Sequence, residues 1–319
     1  MQLTASHIED IESAFESARE TGARISSIHL PGFQKLLDHH PENLTATVEA
    51  GMTLQAFQEK LSTAGQWLAV DPPNPERLTI GALIAENVSG PRRFGLGTVR
   101  EHLIGMKAVL ADGSIIRSGG KVVKNVAGFD ICRLFVGSRG SLGIILEASF
   151  RLNPLPESEM IMGCQTQSSE ETEDLLEAIM KSDLNPMLLD LHNLGTEEQS
   201  ASYGYWQIMV GFAGTREETQ AQMHSLNNLN PFKVTTLDYL NRFGNSDSDA
   251  TPETTAVRPS EVVEYCEQLG STKFVARAGN GVIHHHDSSH AGKLARNPQV
   301  LLDRLKSTFD PKGILAEIS

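Results

Sequence analysis

The sequence predicts an α+β protein of two domains, residues 1–155 and 156–319. Three observations carry this. At 319 residues the chain exceeds what one hydrophobic core ordinarily serves. Short strand-like and helix-like segments alternate through both halves, with a strong two-residue hairpin signal at Asp112-Gly113. Glycine is dense from Thr79 to Leu155 and thins past Pro154 and Pro156, which mark the boundary.

The elements follow in order. Ser6 to Gly22 repeats Ile8, Ile11, Phe15 and Ala18 at helical spacing, with Ser6 as cap, Glu9 completing a capping box and Gly22 as the stop. Ala23 to Ile28 reads as a strand and Pro31 to Pro41 as a connection. Thr45 to Glu49 alternates as a strand, and Thr53 caps a helix bearing Leu54, Phe57 and Leu61. Gln66 to Val70 is a short strand before Asp71-Pro72-Pro73-Asn74-Pro75, whose prolines fix an extended loop. Thr79 to Val88 is a helix, Leu103 to Leu110, Ile115 to Arg117 and Ile144 to Leu152 are strands, and Asp130 to Phe135 is a short helix. In the second domain Glu170 to Lys181 and Arg216 to Leu229 are helices, Tyr205 to Phe212 is a strand and Asn245 to Thr255 a polar loop. Lys273 to Ala278 and Gly281 to His285 pair around Gly279-Asn280, and Pro298 to Phe309 is the last helix. That pattern fits a smaller α+β unit with its own antiparallel sheet.

Charge narrows the chemistry. The chain is formally −13, yet from Pro91 to Arg151 ten basic residues against four acidic ones leave +6. Glycine lets a backbone approach a ligand and present its N–H groups, and a local positive field concentrates an anion. The combination points to a pocket for a phosphate-bearing cofactor. The acidic balance, and a basic window without interleaved aromatics, argue against nucleic acid as a partner. Cys132, Cys164 and Cys266 are widely spaced and form no C-x-x-C pair. This argues against a disulfide framework, an iron–sulfur cluster or a structural zinc, and fits a reducing, cytoplasmic setting. No apolar run is long enough for a transmembrane helix, and Met1 to Asp10 lacks the apolar stretch of a secretory signal.

Five motifs hold candidate site residues. Thr79-Ile80-Gly81 opens a helix whose N–H groups could hold a pyrophosphate; an ordinary Thr cap explains the same residues. Ser89-Gly90-Pro91-Arg92-Arg93 could meet a phosphate or carboxylate, or be a solvated loop. Gly119 to Asp130 contains Lys124 but is neither a P-loop nor a dinucleotide fingerprint. Gly137-Ser138-Arg139-Gly140-Ser141-Leu142-Gly143-Ile144-Ile145 runs a small-residue loop into an apolar strand, where a flat ring could lie. His284 and His286 share one face of a strand; with Asp287 they could ligate a metal, but polar imidazoles at a loop end are the commoner case. No G-x-S-x-G elbow supports a hydrolase.

In order, TIGALIAENVSGPRRFGLGTVREHLIGMKAVLADGSIIRSGGKVVKNVAGFDICRLFVGSRGSLGIILEASFRLNPLP resembles the FAD-binding domain of the vanillyl-alcohol-oxidase, PCMH-type flavoprotein superfamily. Within it the chain is most similar to the FAD-binding E subunits of bacterial glycolate oxidases. TVEAGMTLQAFQEKL upstream, and RAGNGVI and FDPKGIL downstream, add to the likeness. The resemblance implies a PCMH-type domain of two α+β subdomains holding non-covalent FAD, followed by a smaller α+β cap domain. It implies that Thr79, Ile80 and Gly81 meet the pyrophosphate, that Asn87, Ser89 and Gly90 line the flavin side, and that Gly140, Gly143, Ile144 and Ile145 lie along the adenosine. The flavin would supply the redox chemistry and the protein its orientation.

One segment departs from the family. Where a glycine cluster is usual, this chain reads Ala23-Arg24-Ile25-Ser26-Ser27-Ile28-His29-Leu30-Pro31-Gly32, in which Ile28 and Leu30 would crowd a phosphate. Phe129 stands in place of a frequent Tyr, and Arg139 in place of a frequent Glu. The resemblance implies a subunit of a 2-hydroxy-acid oxidising complex, cytoplasmic or peripheral to the inner membrane, with a catalytic flavoprotein subunit and an iron–sulfur subunit as partners. The departure keeps open a non-catalytic scaffold subunit that binds FAD weakly or not at all. A stand-alone oxidase would have Arg277, His284 and His286 as its polar candidates.

Overall fold

Alternating apolar residues set the strands, and register decides what they bring together. The computed structural model describes residues 1–120, 131–195, 206–244, 252–287 and 299–317. The chain forms two compact units: unit 1 is Met1–Gly90, Gly97–Leu155 and Asn297–Ser319, and unit 2 is Pro91–Leu96 and Pro156–Arg296. This differs from a single cut after residue 155 in two places. Pro91–Leu96 joins unit 2, because Gly95 N–H donates to Met187 O at 3.0 Å and Leu96 packs on the core beside Met187. The last helix rejoins unit 1, where Leu305, Phe309, Ile314 and Leu315 enter the first core.

Unit 1 begins with β1 (Gln2–Thr4), α1 (Ile8–Thr21) and β2 (Ser27–His29), with β1 and β2 parallel. Gly22 ends α1 with φ at 67°. Its start is held by Asp10, whose carboxylate accepts Ser6 N–H at 2.8 Å and His7 N–H at 2.9 Å, so Ser6 and Glu9 are not the capping pair. Next come β3 (Leu36–His40), β4 (Thr45–Glu49), α2 (Leu54–Ser62), β5 (Gln66–Trp67) and α3 (Ile80–Glu86). Strand β3 lies in the stretch expected to be a bare connection. Its alternation is obscured by Asp38, His39 and His40, which an outer strand can leave partly in water. After α4 (Arg93–Leu96), in unit 2, unit 1 resumes with α5 (Val99–His102), β6 (Leu103–Val109), β7 (Ile115–Gly119), α6 (Cys132–Phe135), β8 (Ile144–Arg151) and β9 (Asn153–Pro154). The main sheet runs β3-β4-β8-β6-β7, antiparallel throughout. Phe57 of α2 and Phe150 of β8 meet in its core with ring centroids 6.0 Å apart.

Unit 2 contains β10 (Ser158–Thr166), α7 (Ser169–Lys181), β11 (Leu188–His192), β12 (Trp206–Gly214), α8 (Arg216–Leu229), β13 (Lys233–Val234) and α9 (Asp238–Gly244). It continues with β14 (Glu253–Ala256), α10 (Val262–Gln268), β15 (Phe274–Arg277) and β16 (Val282–His285). Its seven-stranded sheet runs β13-β10-β12-β11-β15-β16-β14, again antiparallel. Strand β14 takes the end of the expected Asn245–Thr255 loop, where Thr254 and Thr255 pair with His284 and Ile283. The chain returns to unit 1 through α11 (Gln299–Phe309). No described helix is long and apolar enough to cross a membrane.

The core contact on α2 gives a direct test. Phe57 is fully buried. Phe57→Ala is expected to lower the unfolding free energy of unit 1 by about 3–5 kcal/mol. Urea titration followed by Trp67 fluorescence in a Trp206→Phe background reads it.

Candidate cofactor site

Helix α3 divides the expected site residues into two groups. It is seven residues long, roughly 10 Å from end to end. At its start Thr79 is an N-cap, its Oγ1 accepting Ala82 N–H at 3.2 Å. Ile80 N–H donates to Met52 O at 2.9 Å and Gly81 N–H to Ala50 O at 2.8 Å. The amide donors that a pyrophosphate contact needs here are therefore engaged within the protein. Gly81 serves packing too: a Cβ there would lie 3.2 Å from Ala50 O. Ile80 is buried in the core.

The other end of α3 is different. Asn87 is exposed and ends the helix in the left-handed region at φ 52°, ψ 42°. The loop after α6 docks there, with Gly137 N–H on Ile84 O at 3.0 Å and Arg139 N–H on Ala85 O at 2.8 Å. Gly137, Arg139 and Gly140 have φ of 80°, 51° and 76°, a run that needs small or tolerant residues. Ser138 is buried, and its Oγ has no hydrogen-bond partner among the described residues. Gly90 is pressed against the proline loop, where a Cβ would fall 1.9 Å from Asp71 O. Asn87 thus meets the Gly137–Gly140 loop at this end of α3, and Ser89 and Gly90 follow it in the chain.

Gly143, Ile144 and Ile145 face inward. A Cβ on Gly143 would sit 2.8 Å from Val109 O and 3.2 Å from Phe135 Cε1, so the missing side chain lets the loop seat on β6 and α6. Ile144 and Ile145 are buried in the first core, leaving only their backbone to a ligand. The segment with the lost glycines lies opposite. Ser26 N–H donates to Met1 O, Gly32 N–H to Ala5 O, and Phe33 N–H to Leu30 O. Leu30 is buried in the core and crowds nothing outside it. Ile28 is exposed, and its Cδ1 lies 3.4 Å from where a Gly140 Cβ would be.

The basic window is not one patch. Arg92 and Arg93 belong to unit 2, where Arg92 pairs with Glu159. Lys107 pairs with Glu147 across β6 and β8 at 2.8 Å. Lys121, Lys124, Phe129 and the rest of 121–130 lie outside the described residues.

Unit 2 has a polar cluster of its own. Register places Asp190 and His192 on β11, Arg277 on β15 and His284 on β16 on one face of its sheet. Asp190 accepts the Tyr239 hydroxyl at 2.5 Å and pairs with Arg277. Burial raises the Asp190 carboxyl against the pull of Arg277 and Tyr239. His192 stacks on Tyr239, centroids 4.5 Å apart, and its Nδ1 accepts Leu194 N–H at 3.2 Å. Its Nε2 has no partner among the described residues. Burial lowers His192 to about 3, helped by Arg242. Burial likewise lowers His284 to about 4, helped by Arg277, Arg93 and His285. His286 packs against the Phe243 ring at 4.8 Å. Among the described residues no group of three or more His, Cys, Asp and Glu is arranged to hold a metal.

The family described as "FAD binding domain" matches residues 16–119. That stretch of the chain is similar to an FAD-binding domain. The glycolate oxidase subunit GlcD of Bacillus subtilis is 37% identical to it over 156 residues, 49% of this chain and 33% of the relative. Glycolate oxidase subunit GlcE of Escherichia coli is 34% identical over 143 residues, 44% of this chain and 41% of the relative. A D-lactate dehydrogenase of Archaeoglobus fulgidus is 34% identical over 155 residues, 48% of this chain and 34% of the relative. The chain thus spans less than half the length of these relatives. An alkyldihydroxyacetonephosphate synthase shares the fold, with a TM-score of 0.71 at 17% identity, covering 98% of this chain and 75% of that one.

Set against an FAD site, the fit of unit 1 is uneven. The partnerless Ser138 hydroxyl and the left-handed Gly137–Gly140 run suit a nucleotide, whereas the Ser26–Gly32 segment presents no run of open amides. Ser138 stands in the small-residue loop that the sequence marks, but nothing local shows that its hydroxyl is buried. Asp190 and His192 also left a signal, as polar residues at alternate places in the apolar run Leu188-Leu189-Asp190-Leu191-His192.

The neutral histidines of unit 2 predict a pH dependence. Both folded values lie below the ordinary 6.5. Below that pH the unfolded chain binds protons that the folded unit does not, so stability is full above pH 6.5 and falls toward pH 4. His192 alone contributes up to about 1.4 kcal/mol per pH unit. His192→Phe keeps a ring on Tyr239 and is expected to flatten this limb in thermal unfolding across that range.

Proposed function

We propose that this chain is the FAD-binding subunit of a 2-hydroxy-acid oxidising flavoprotein of the glycolate type, passing electrons to partner subunits. The Gly137–Gly143 loop carries the reading. It is docked on the carbonyl end of α3 with a buried hydroxyl still unpartnered. Asn87, Ser89 and Gly90 would line the flavin side, and the backbone of Gly140, with Ser138 Oγ, the nucleotide side. Gly143, Ile144 and Ile145 would seat that loop and reach the cofactor through backbone alone. Thr79 would cap the far end of α3, and Ile80 and Gly81 would shape it with their N–H groups given to Met52 and Ala50. Bound flavin supplies the acceptor for the two electrons released when a 2-hydroxy acid becomes a 2-oxo acid.

Partners follow from the cysteines. Cys132, Cys164 and Cys266 are buried and separate, so this chain offers no iron–sulfur ligands of its own. A catalytic flavoprotein subunit and an iron–sulfur subunit would complete electron transfer, with the assembly peripheral to the inner membrane. The engaged amides of Ser26–Gly32, and Ile28 against Gly140, favour a second reading: a scaffold subunit that keeps the fold and holds FAD weakly.

The visible spectrum of the chain expressed alone separates the two. A flavin band on the folded chain supports the first. A folded protein that stays colourless with added FAD overturns it and leaves the scaffold. Gly140→Val forces a branched side chain into φ 76° beside Ile28. It is expected to weaken flavin retention by about 10-fold or more, read by fluorescence titration.

A further inference from the structure

Lys306 on the C-terminal helix α11 and Asp310, the residue just past its end, lie four positions apart, both buried or nearly so. The Lys306 ammonium donates to Ser141 O at 3.1 Å, Leu315 O at 3.3 Å and Ala316 O at 2.6 Å. It pairs with Asp310 Oδ2 at 2.8 Å. Asp310 accepts Ile314 N–H at 3.0 Å and Leu315 N–H at 2.9 Å. The turn so fixed returns Ile314 O to Ile25 N–H at 2.8 Å. One ion pair is thereby bonded, on one side, to the glycine loop through Ser141. On the other it reaches the segment that leads into Ser26–Gly32. Those two segments touch where Ile28 covers Gly140.

A buried ammonium is a poor choice for packing alone, since an apolar side chain of that length would fill the space without desolvating a charge. What it adds is direction: its donors fix three carbonyls relative to one carboxylate. We infer that Lys306 is a positioning residue for the cofactor, pinning Ser141 so that the Gly137–Gly143 loop and the Ile25–Gly32 segment are held in register. This rests on the FAD reading above and extends it to a residue 165 positions along the chain from Ser141. The Lys306 donors are all used on the protein, so its role is to shape the loop and not to meet the phosphates.

The test uses the full chain with Lys306→Met, and Lys306→Arg to restore charge. FAD affinity is read by flavin fluorescence, and hydrogen exchange by mass spectrometry on the flavin-free proteins. Lys306→Met is expected to bind FAD about 10-fold or more weakly, with Lys306→Arg recovering part of the loss. Exchange should rise in the peptide spanning 137–143 and stay unchanged in the peptide spanning 206–214 of unit 2. Faster exchange with unchanged affinity would reduce Lys306 to a structural residue and overturn the inference; so would no change in either. A wild-type chain that takes up no FAD overturns the proposed function and the cofactor role of Lys306 together. The exchange difference then reports the pin by itself. Should Lys306→Met fail to fold, Lys306→Gln, which keeps a donating end, carries the same comparison.

Discussion

Two backbone carbonyls at the end of α3 organise the site. A helix leaves its last carbonyls without intrahelical partners, and something must supply donors. Here Gly137 N–H joins the Asn87 N–H on Ile84 O, and Arg139 N–H supplies Ala85 O, both brought back from the loop before β8. That single docking places the left-handed loop, sets Asn87 beside it, and fixes where β8 begins. The glycines follow from it, because a chain that caps a helix end and then turns at once into a buried strand needs φ values that side chains resist.

The cradle is built asymmetrically. One wall keeps an unpartnered hydroxyl and backbone in unusual conformations. The other closes its amides on β1, on Met1 and Ala5 flanking it and on its own turn, and offers Ile28 as an apolar cover. Such a wall gives shape and exclusion of water but few donors. Affinity for an anionic cofactor would then fall mostly on the loop side, which ties retention closely to the rigidity of that loop.

Strands with clean alternation, such as Thr45–Glu49 and Ile144–Arg151, were legible because one residue type faces one side. Leu36–His40 was not, since an outer strand mixes polar residues into its pattern and loses the contrast. The helix start at Thr79 was legible as a cap, but not the occupancy of Ile80 and Gly81 N–H, which depends on where Met52 and Ala50 arrive in space. Leu30 illustrates the same limit: it stands two residues after Ile28, yet one enters the core and the other does not. The return of α11 to unit 1 was hidden because nothing local in Leu305, Phe309, Ile314 or Leu315 says which of two cores they enter.

That return bears on biosynthesis. Most of unit 2 is spelled out between the sheet of unit 1 and the helix that completes it. During translation the first strands and the glycine loop leave the ribosome well before Lys306 and Asp310, and domains tend to fold in order of emergence. The nascent first unit therefore waits, with Ser141 and Ile25 unlatched, until well over a hundred further residues have been made. If that pin holds the cofactor loop as proposed, cofactor capture would be a late step, following synthesis of the inserted unit.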